Sequence, residues 1–423
     1  MKKTNLRIAI NAQILPGTGA GGIETVLRFL TKLGRLEDNE EYLFIGHWND
    51  DSDWLKSHLS GRQTWVRAPR PEPSSAAGRM ETIKRAIGPL RPLARNVKQR
   101  LSKASFRQPT LPISDGFYES LGCDVIHFPY QDFVQTQIPS LYNPHDLQHL
   151  HYPQYFTAEE IQRREAIYPE ACRAAHTVVA GSKFVLQDLV GAYGLPSDKI
   201  QVIPWGPADA KFDESTEPSS GQLLEKYDIP SEPFALYPAV TWEHKNHLRL
   251  VEAVALLRDR DQLQANLVCT GHKTAFFEAI EKRIKELHLE HQIKFTGVVE
   301  QRELSALYRH AQFVIIPTLF EAASAPVFES WHHNVAITCS AVTSIPEQVG
   351  DAALLFDPLS VDDIGDAIKR MLVDPILRAD LTSRGRARIL RFDPERTAKS
   401  YRAAYRRAAG VKLHDEDIYH LSL

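Results

Sequence analysis

Short runs rich in Val, Ile, Leu and Phe recur along the chain, and stretches of helical period separate most of them. No other feature narrows the fold as much. In the first half the runs fall at residues 6–10, 42–45, 64–67, 123–128, 138–142, 177–180 and 200–203. In the second half they fall at 234–237, 265–269, 293–296, 313–316, 335–339 and 353–356. Most are continuously apolar, which suits strands buried on both faces of parallel sheets covered by helices. Alternation of such strands with helices specifies an α/β architecture whose strand connections are right-handed crossovers.

A chain of 423 residues exceeds one typical hydrophobic core. A stretch rich in Pro, Ser and Glu, residues 204–233, divides the strands into two sets. The expected fold is therefore two tandem Rossmann-like doubly wound domains facing across a cleft, followed by a helical C-terminal segment. The first domain should span 1–204, with a basic insertion at about 69–112. A linker at 205–233 and a second domain at 234–393 follow. Residues 394–423 form a helix and tail placed to pack back on the first domain.

Composition excludes several classes. A net charge of -3 gives no basis for nucleic-acid binding. The four cysteines, Cys123, Cys172, Cys269 and Cys339, lack metal-ligand spacing and fit a reducing, cytoplasmic compartment. Residues 6–10 are too short an apolar run for a signal peptide, and no segment approaches a membrane span. The basic run 79–107 leaves two readings open. It either rests on anionic lipid, giving peripheral contact with the inner membrane surface, or is a solvated surface insertion.

Residues able to do chemistry gather at predicted strand ends. The run 313–316 leads through a short loop to Pro326, which suits a first helical turn. Glu321 then lies at a strand's carboxyl end and Glu329 on the next helix. Ligands of open α/β sheets bind in that crevice, and a helix N-terminus there favours an anion. A ligand carrying both phosphate and hydroxyl groups, such as a nucleotide sugar, fits two carboxylates beside such an end. Lys245 and Asn246 follow the strand at 234–237, where a lysine can pair with a diphosphate. Gly21 and Gly22 close a glycine-rich loop before a helix at 23–36, and His145 follows the strand at 138–142. Ser344 and Glu347 have capping-box spacing. Each residue alone also has a plain structural reading: Glu321 as a cap, Glu329 as a solvated glutamate, the glycines as a tight turn, His145 as a packed ring.

Together these residues resemble a known family. Gly21-Gly22-Ile23-Glu24, His145-Asp146, Lys245-Asn246, Glu321 and Glu329 separated by seven residues, and Thr343-Ser-Ile-Pro-Glu347 occur in that order. Their order and spacing are similar to glycosyltransferase family 4, retaining enzymes of the GT-B fold, over nearly all of residues 6–409. The resemblance implies that Lys245 contacts the donor's diphosphate, Glu321 holds the transferred sugar or assists at its anomeric centre, and Glu329 binds the ribose. It places Gly21 and Gly22 near the donor phosphates and acceptor, and His145 near the reacting face. Asn246, Ser324, Thr343 and Ser344 match donor-side positions, and Ser182 and Lys183 lie near the cleft.

The implied activity is transfer of a mannose-like hexosyl group from a nucleotide-diphosphate sugar to a saccharide or lipid-linked saccharide in surface polysaccharide synthesis. A non-catalytic sugar-binding protein and a sugar-nucleotide epimerase are the alternatives. The chain departs from the family pattern at Val240, where many relatives carry arginine, and at 322–325, where alanines and a serine replace a glycine-rich stretch. That leaves the diphosphate charge to Lys245, helix N-termini, Lys183 or His244. The Asp-x-Asp spacings at Asp51–Asp53 and Asp415–Asp417 fall outside the strand ends, so no metal and no cofactor are expected.

Overall fold

The computed structural model describes residues 5–15, 21–50, 53–70, 109–207, 218–229 and 233–422. The basic run at 79–107, nearly all of the expected insertion, and residues 16–20 of the glycine-rich loop lie outside them. The strands β1 (Arg7–Ala12), β2 (Glu41–Gly46), β3 (Gln63–Arg67), β4 (Val125–Phe128), β5 (Ser140–Tyr142), β6 (Thr177–Ala180) and β7 (Ile200–Val202) form one sheet. Its order is 3-2-1-4-5-6-7 and its pairings are parallel. The second sheet contains β8 (Phe234–Pro238), β9 (Asn266–Thr270), β10 (Ile293–Gly297), β11 (Phe313–Ile316), β12 (Ile337–Ser340) and β13 (Leu354–Phe356). It runs in parallel order 10-9-8-11-12-13. The strand order reverses between β1 and β4 and between β8 and β11, which opens a crevice at those carboxyl ends.

Side-chain alternation explains the layering. Along β1, Ile8 and Ile10 join Tyr42 and Phe44 on one face, while Ala9 joins Ile126 and Phe128 on the other. Both faces are covered, hence the continuously apolar runs. The expected helix at 23–36 divides into Gly21–Leu30 and a tighter turn, Thr31–Arg35. Part of the stretch read as linker is structured: Ser219 caps a helix, Ser220–Lys226, whose Leu223 is buried in the second core along with Ile229. Tyr227 Oη donates to Glu303 Oε2 at 2.6 Å and ties it to that domain.

The helix Pro394–Ala408, capped by Asp393, lies on the first sheet. Its Ala398, Tyr401, Ala404 and Tyr405 pack with Ile8, Ile10, Tyr42 and Phe44. A buried polar chain fastens it. Asn143 Nδ2 donates to Tyr401 Oη at 3.0 Å, so Asn143 Oδ1 accepts from His127 Nε2 at 2.8 Å. His127 Nδ1 then accepts from Tyr405 Oη at 2.8 Å. Burial holds His127 neutral, with its pKa lowered to about 4. Arg406 adds bonds to Glu40 at 2.6 Å and Asp417 at 3.0 Å. The chain thus passes between domains twice, and the passes touch: a Cβ on Gly206 would lie 2.6 Å from the Phe392 carbonyl oxygen. Only glycine fits that approach. Among the described residues, no helix is long and apolar enough to cross a membrane.

Candidate active site

A cavity of about 1140 Å³ lies between the domains. Glu321, Lys245 and Glu329 line its second-domain wall, with Val240, Ala323 and Pro326. Lys245 Nζ and Glu321 Oε1 form an ion pair, their side chains 20% and 14% exposed. Local structure places both groups. Lys245 ends a tight turn, Glu243–Lys245, and its carbonyl accepts from Tyr237 Oη at 2.7 Å. Glu321 is gripped by its backbone. Its N–H donates to Thr343 Oγ1 at 3.1 Å, and its carbonyl accepts from Thr343 Oγ1 at 2.7 Å and Ser344 Oγ at 2.8 Å.

Asn246, Thr343 and Ser344 therefore spend their side chains on protein rather than on the cavity. Asn246 Nδ2 donates to the carbonyls of Pro317 at 2.9 Å and Pro358 at 2.8 Å, joining the ends of β11 and β13. Ser344 does not cap its helix, Ile345–Val349; its hydroxyl is turned to Glu321, which corrects the capping-box reading. His145, Asn246 and Thr343 hold φ of 67°, 63° and 49°. Asn and His tolerate that region, but for β-branched Thr it is strained, as is common where structure over-determines a site.

Ser324 precedes the helix Ala325–His332, which has no side-chain cap and starts with Pro326 in its first turn. Its backbone N–H and carbonyl are clasped by Gln348 at 2.9 and 2.8 Å. Its buried Oγ has no hydrogen-bond partner among the described residues. Glu329 Oε2 accepts from Tyr308 Oη at 2.5 Å. Burial raises the Glu329 pKa, and the tyrosine bond offsets part of that rise. The reading of Glu329 as a solvated surface group is thereby corrected.

Gly21 and Gly22 form the first turn of the helix Gly21–Leu30 instead of a preceding loop. The same helix and its following turn bring Glu24, Arg28 and Lys32 to the first-domain wall of the cavity, where sequence reasoning had not placed them. Their spacing of four on one helix face was the available signal. His145 is buried one layer back: its Nε2 donates to the Pro129 carbonyl at 2.9 Å, and its ring stands edge-on to Trp205, which lines the cavity. Burial lowers its pKa, so the ring is neutral. His244 is neutral as well, its pKa lowered to about 3 by burial and by Lys245. It supplies no charge for a diphosphate. Neither His244 nor Lys183 lines this cavity.

Two family profiles match the chain: Glycosyltransferase Family 4 at residues 20–207 and Glycosyl transferases group 1 at 222–388. The chain belongs to glycosyltransferase family 4. Among relatives of this family 4 glycosyltransferase is the O-antigen chain mannosyltransferase B of Escherichia coli. It is 26% identical over 296 residues, which cover 66% of this chain and 75% of that one. The serotype-specific mannosyltransferase WbdA of the same organism is 28% identical over 53% of this chain, a match spanning 28% of WbdA. Among solved structures, HepE of Anabaena in complex with UDP and glucose shares the fold. Its TM-score is 0.63 at 17% identity, covering 94% of this chain and 99% of that one.

Proposed function

We propose that this glycosyltransferase moves a mannose-like hexosyl group from a nucleoside-diphosphate sugar to a saccharide or lipid-linked saccharide during surface polysaccharide synthesis, with retention of anomeric configuration and without a metal. The observation that carries the reading is the Lys245–Glu321 pair at the strand ends of the second sheet, facing the interdomain cavity. The names of the mannosyltransferase relatives support the choice of sugar.

Breaking the sugar–phosphate bond puts negative charge on the leaving diphosphate and positive charge at the anomeric carbon. Lys245 neutralises the first, and the uncapped start of Ala325–His332 adds free backbone N–H donors and a positive dipole end. A diphosphate arriving at Lys245 competes with Glu321 for the cation, which releases the Glu321 carboxylate to sugar hydroxyls or the anomeric centre. Glu329 takes the ribose hydroxyls. The acceptor enters against the wall carrying Arg28 and Lys32. The hydroxyl attacks from the face the phosphate leaves, and the leaving phosphate takes its proton.

A panel of nucleotide sugars tests this by nucleoside diphosphate release, with a saccharide acceptor and with a chelator present. Release from a mannosyl donor that persists with chelator is expected. Silence across the panel overturns the reading, and an inverted product anomer overturns the stereochemistry.

A further inference from the structure

The short helix Ile345–Val349 and the two residues before it hold the site from behind and also reach across to the opposite domain. Thr343 and Ser344 grip the Glu321 backbone, and Gln348 clasps Ser324. Between them, the Glu347 carboxylate leaves its own domain. It accepts from the backbone N–H of Lys183 at 2.9 and 3.1 Å and from that of Phe184 at 3.4 Å. Those are the first residues of the first-domain helix Lys183–Tyr193, whose next free amide, Val185 N–H, is taken by Ser182 Oγ at 3.2 Å. A carboxylate at a helix N-terminus combines charge-assisted hydrogen bonds with a favourable dipole. Arg388 fixes the other side, donating to the carbonyls of Glu347 at 2.7 Å and Gln348 at 3.1 Å.

The residues just before Glu321 meet the same first-domain surface. The Phe320 ring packs against His151 at 5.5 Å, Tyr152 at 6.2 Å and Phe184 at 6.1 Å. Tyr152 Oη donates to the Leu319 carbonyl at 3.2 Å. Glu321 is therefore held between a loop that contacts the first domain directly and a loop that contacts it through Glu347.

We propose that Glu347 is a positioning residue that couples docking of the two domains to the placement of Glu321. When its carboxylate sits on the helix Lys183–Tyr193, the turn carrying Thr343 and Ser344 is fixed at both ends, and the Glu321 backbone with it. When the domains part, Glu347 loses its partners and the grip on Glu321 slackens. The proposal rests on the reading of Glu321 as acting on the donor sugar, and it deepens that reading.

The test compares Glu347→Ala and Glu347→Gln with wild type. Misplacing a catalytic group by about 1 Å costs on the order of 100-fold, so Glu347→Ala should lower kcat by roughly 10- to 100-fold. Affinity for the nucleoside diphosphate released in the donor panel should stay within about twofold, because Lys245 and the helix Ala325–His332 are untouched. Glu347→Gln keeps an acceptor oxygen without the charge and should recover part of kcat. Amide hydrogen exchange supplies a readout independent of turnover. Glu347→Ala should speed exchange not only at Lys183 and Phe184 but also at the Glu321 N–H. Wild-type exchange at Glu321 would reduce Glu347 to a local cap and overturn the proposal. Nucleotide affinity falling in step with kcat would overturn it too, by showing loss of the whole site. If wild type itself turns over no donor, the activity reading fails, and exchange at Glu321 alone decides the coupling.

Discussion

Removing Lys245 separates its contribution to catalysis from its contribution to folding. The side chains of Lys245 and Glu321 are 20% and 14% exposed, between the surface and buried limits. Breaking a fully buried pair costs roughly 3–5 kcal/mol, and exposed pairs are worth about 1 kcal/mol or less. Lys245→Ala, which strands the Glu321 carboxylate, should thus destabilise the second domain by about 1–2 kcal/mol, or roughly 2–8 °C in Tm for a domain of this size. Losing one preorganised donor to the leaving group costs about 3 kcal/mol, or roughly 100- to 1000-fold in turnover. The catalytic deficit should exceed the folding deficit. Adding Glu321→Gln removes the stranded charge, so the double variant should regain most of the lost Tm and none of the turnover. Calorimetry and nucleoside diphosphate release measure the two. Lys245→Ala within threefold of wild-type kcat/KM, or a double variant that recovers turnover, would refute the assignment.

Two further substitutions probe the buried polar groups. The raised Glu329 pKa means the folded state holds this proton more tightly than the unfolded chain does. Wild-type stability therefore declines as pH climbs from the unfolded carboxyl range, near 4.3, through the raised folded value. Glu329→Gln lacks that term while keeping an acceptor for Tyr308, so its Tm advantage over wild type should be larger at pH 8 than at pH 5; a pH-independent difference would contradict the burial argument. Tyr405→Phe leaves His127 Nδ1 without a donor inside the core and should cost about 1–3 kcal/mol by denaturant unfolding. An unchanged midpoint would show that the hydroxyl does not fasten the helix.

The central strands were legible because β4, β6, β11 and β12 are buried along their whole length between layers, and such burial leaves an unbroken apolar run. The runs at 177–180 and 313–316 match β6 and β11 to the residue. The glutamate pair was legible from its spacing and its place after β11, but its surroundings were not. Tyr308 and Gln348 reach Glu329 and Ser324 from other elements, and periodicity carries no record of such partners. The Ser344–Glu347 spacing misled for a physical reason. Capping oxygens satisfy any free backbone groups within reach, and here they serve Glu321 in one domain and Lys183 in the other. Asn246 likewise reads as a polar neighbour of a reactive lysine, yet its amide is consumed in joining two strand ends.

The placement of Pro394–Ala408 on the first sheet sets an order of maturation on the ribosome. Strand β7 ends at Val202, yet the core bearing Ile8, Ile10, Tyr42 and Phe44, which Val26, Leu27, Leu30 and Leu33 cover in part, is completed by Ala398, Tyr401, Ala404 and Tyr405. Translation at ~5–20 residues per second separates the two by about 10–40 seconds. The first domain to emerge is thus the last to be finished. During that interval part of its apolar face, and the acceptor nitrogen of His127, wait for a helix still to be made, while the second domain gains every strand of its sheet by Phe356, ahead of that helix.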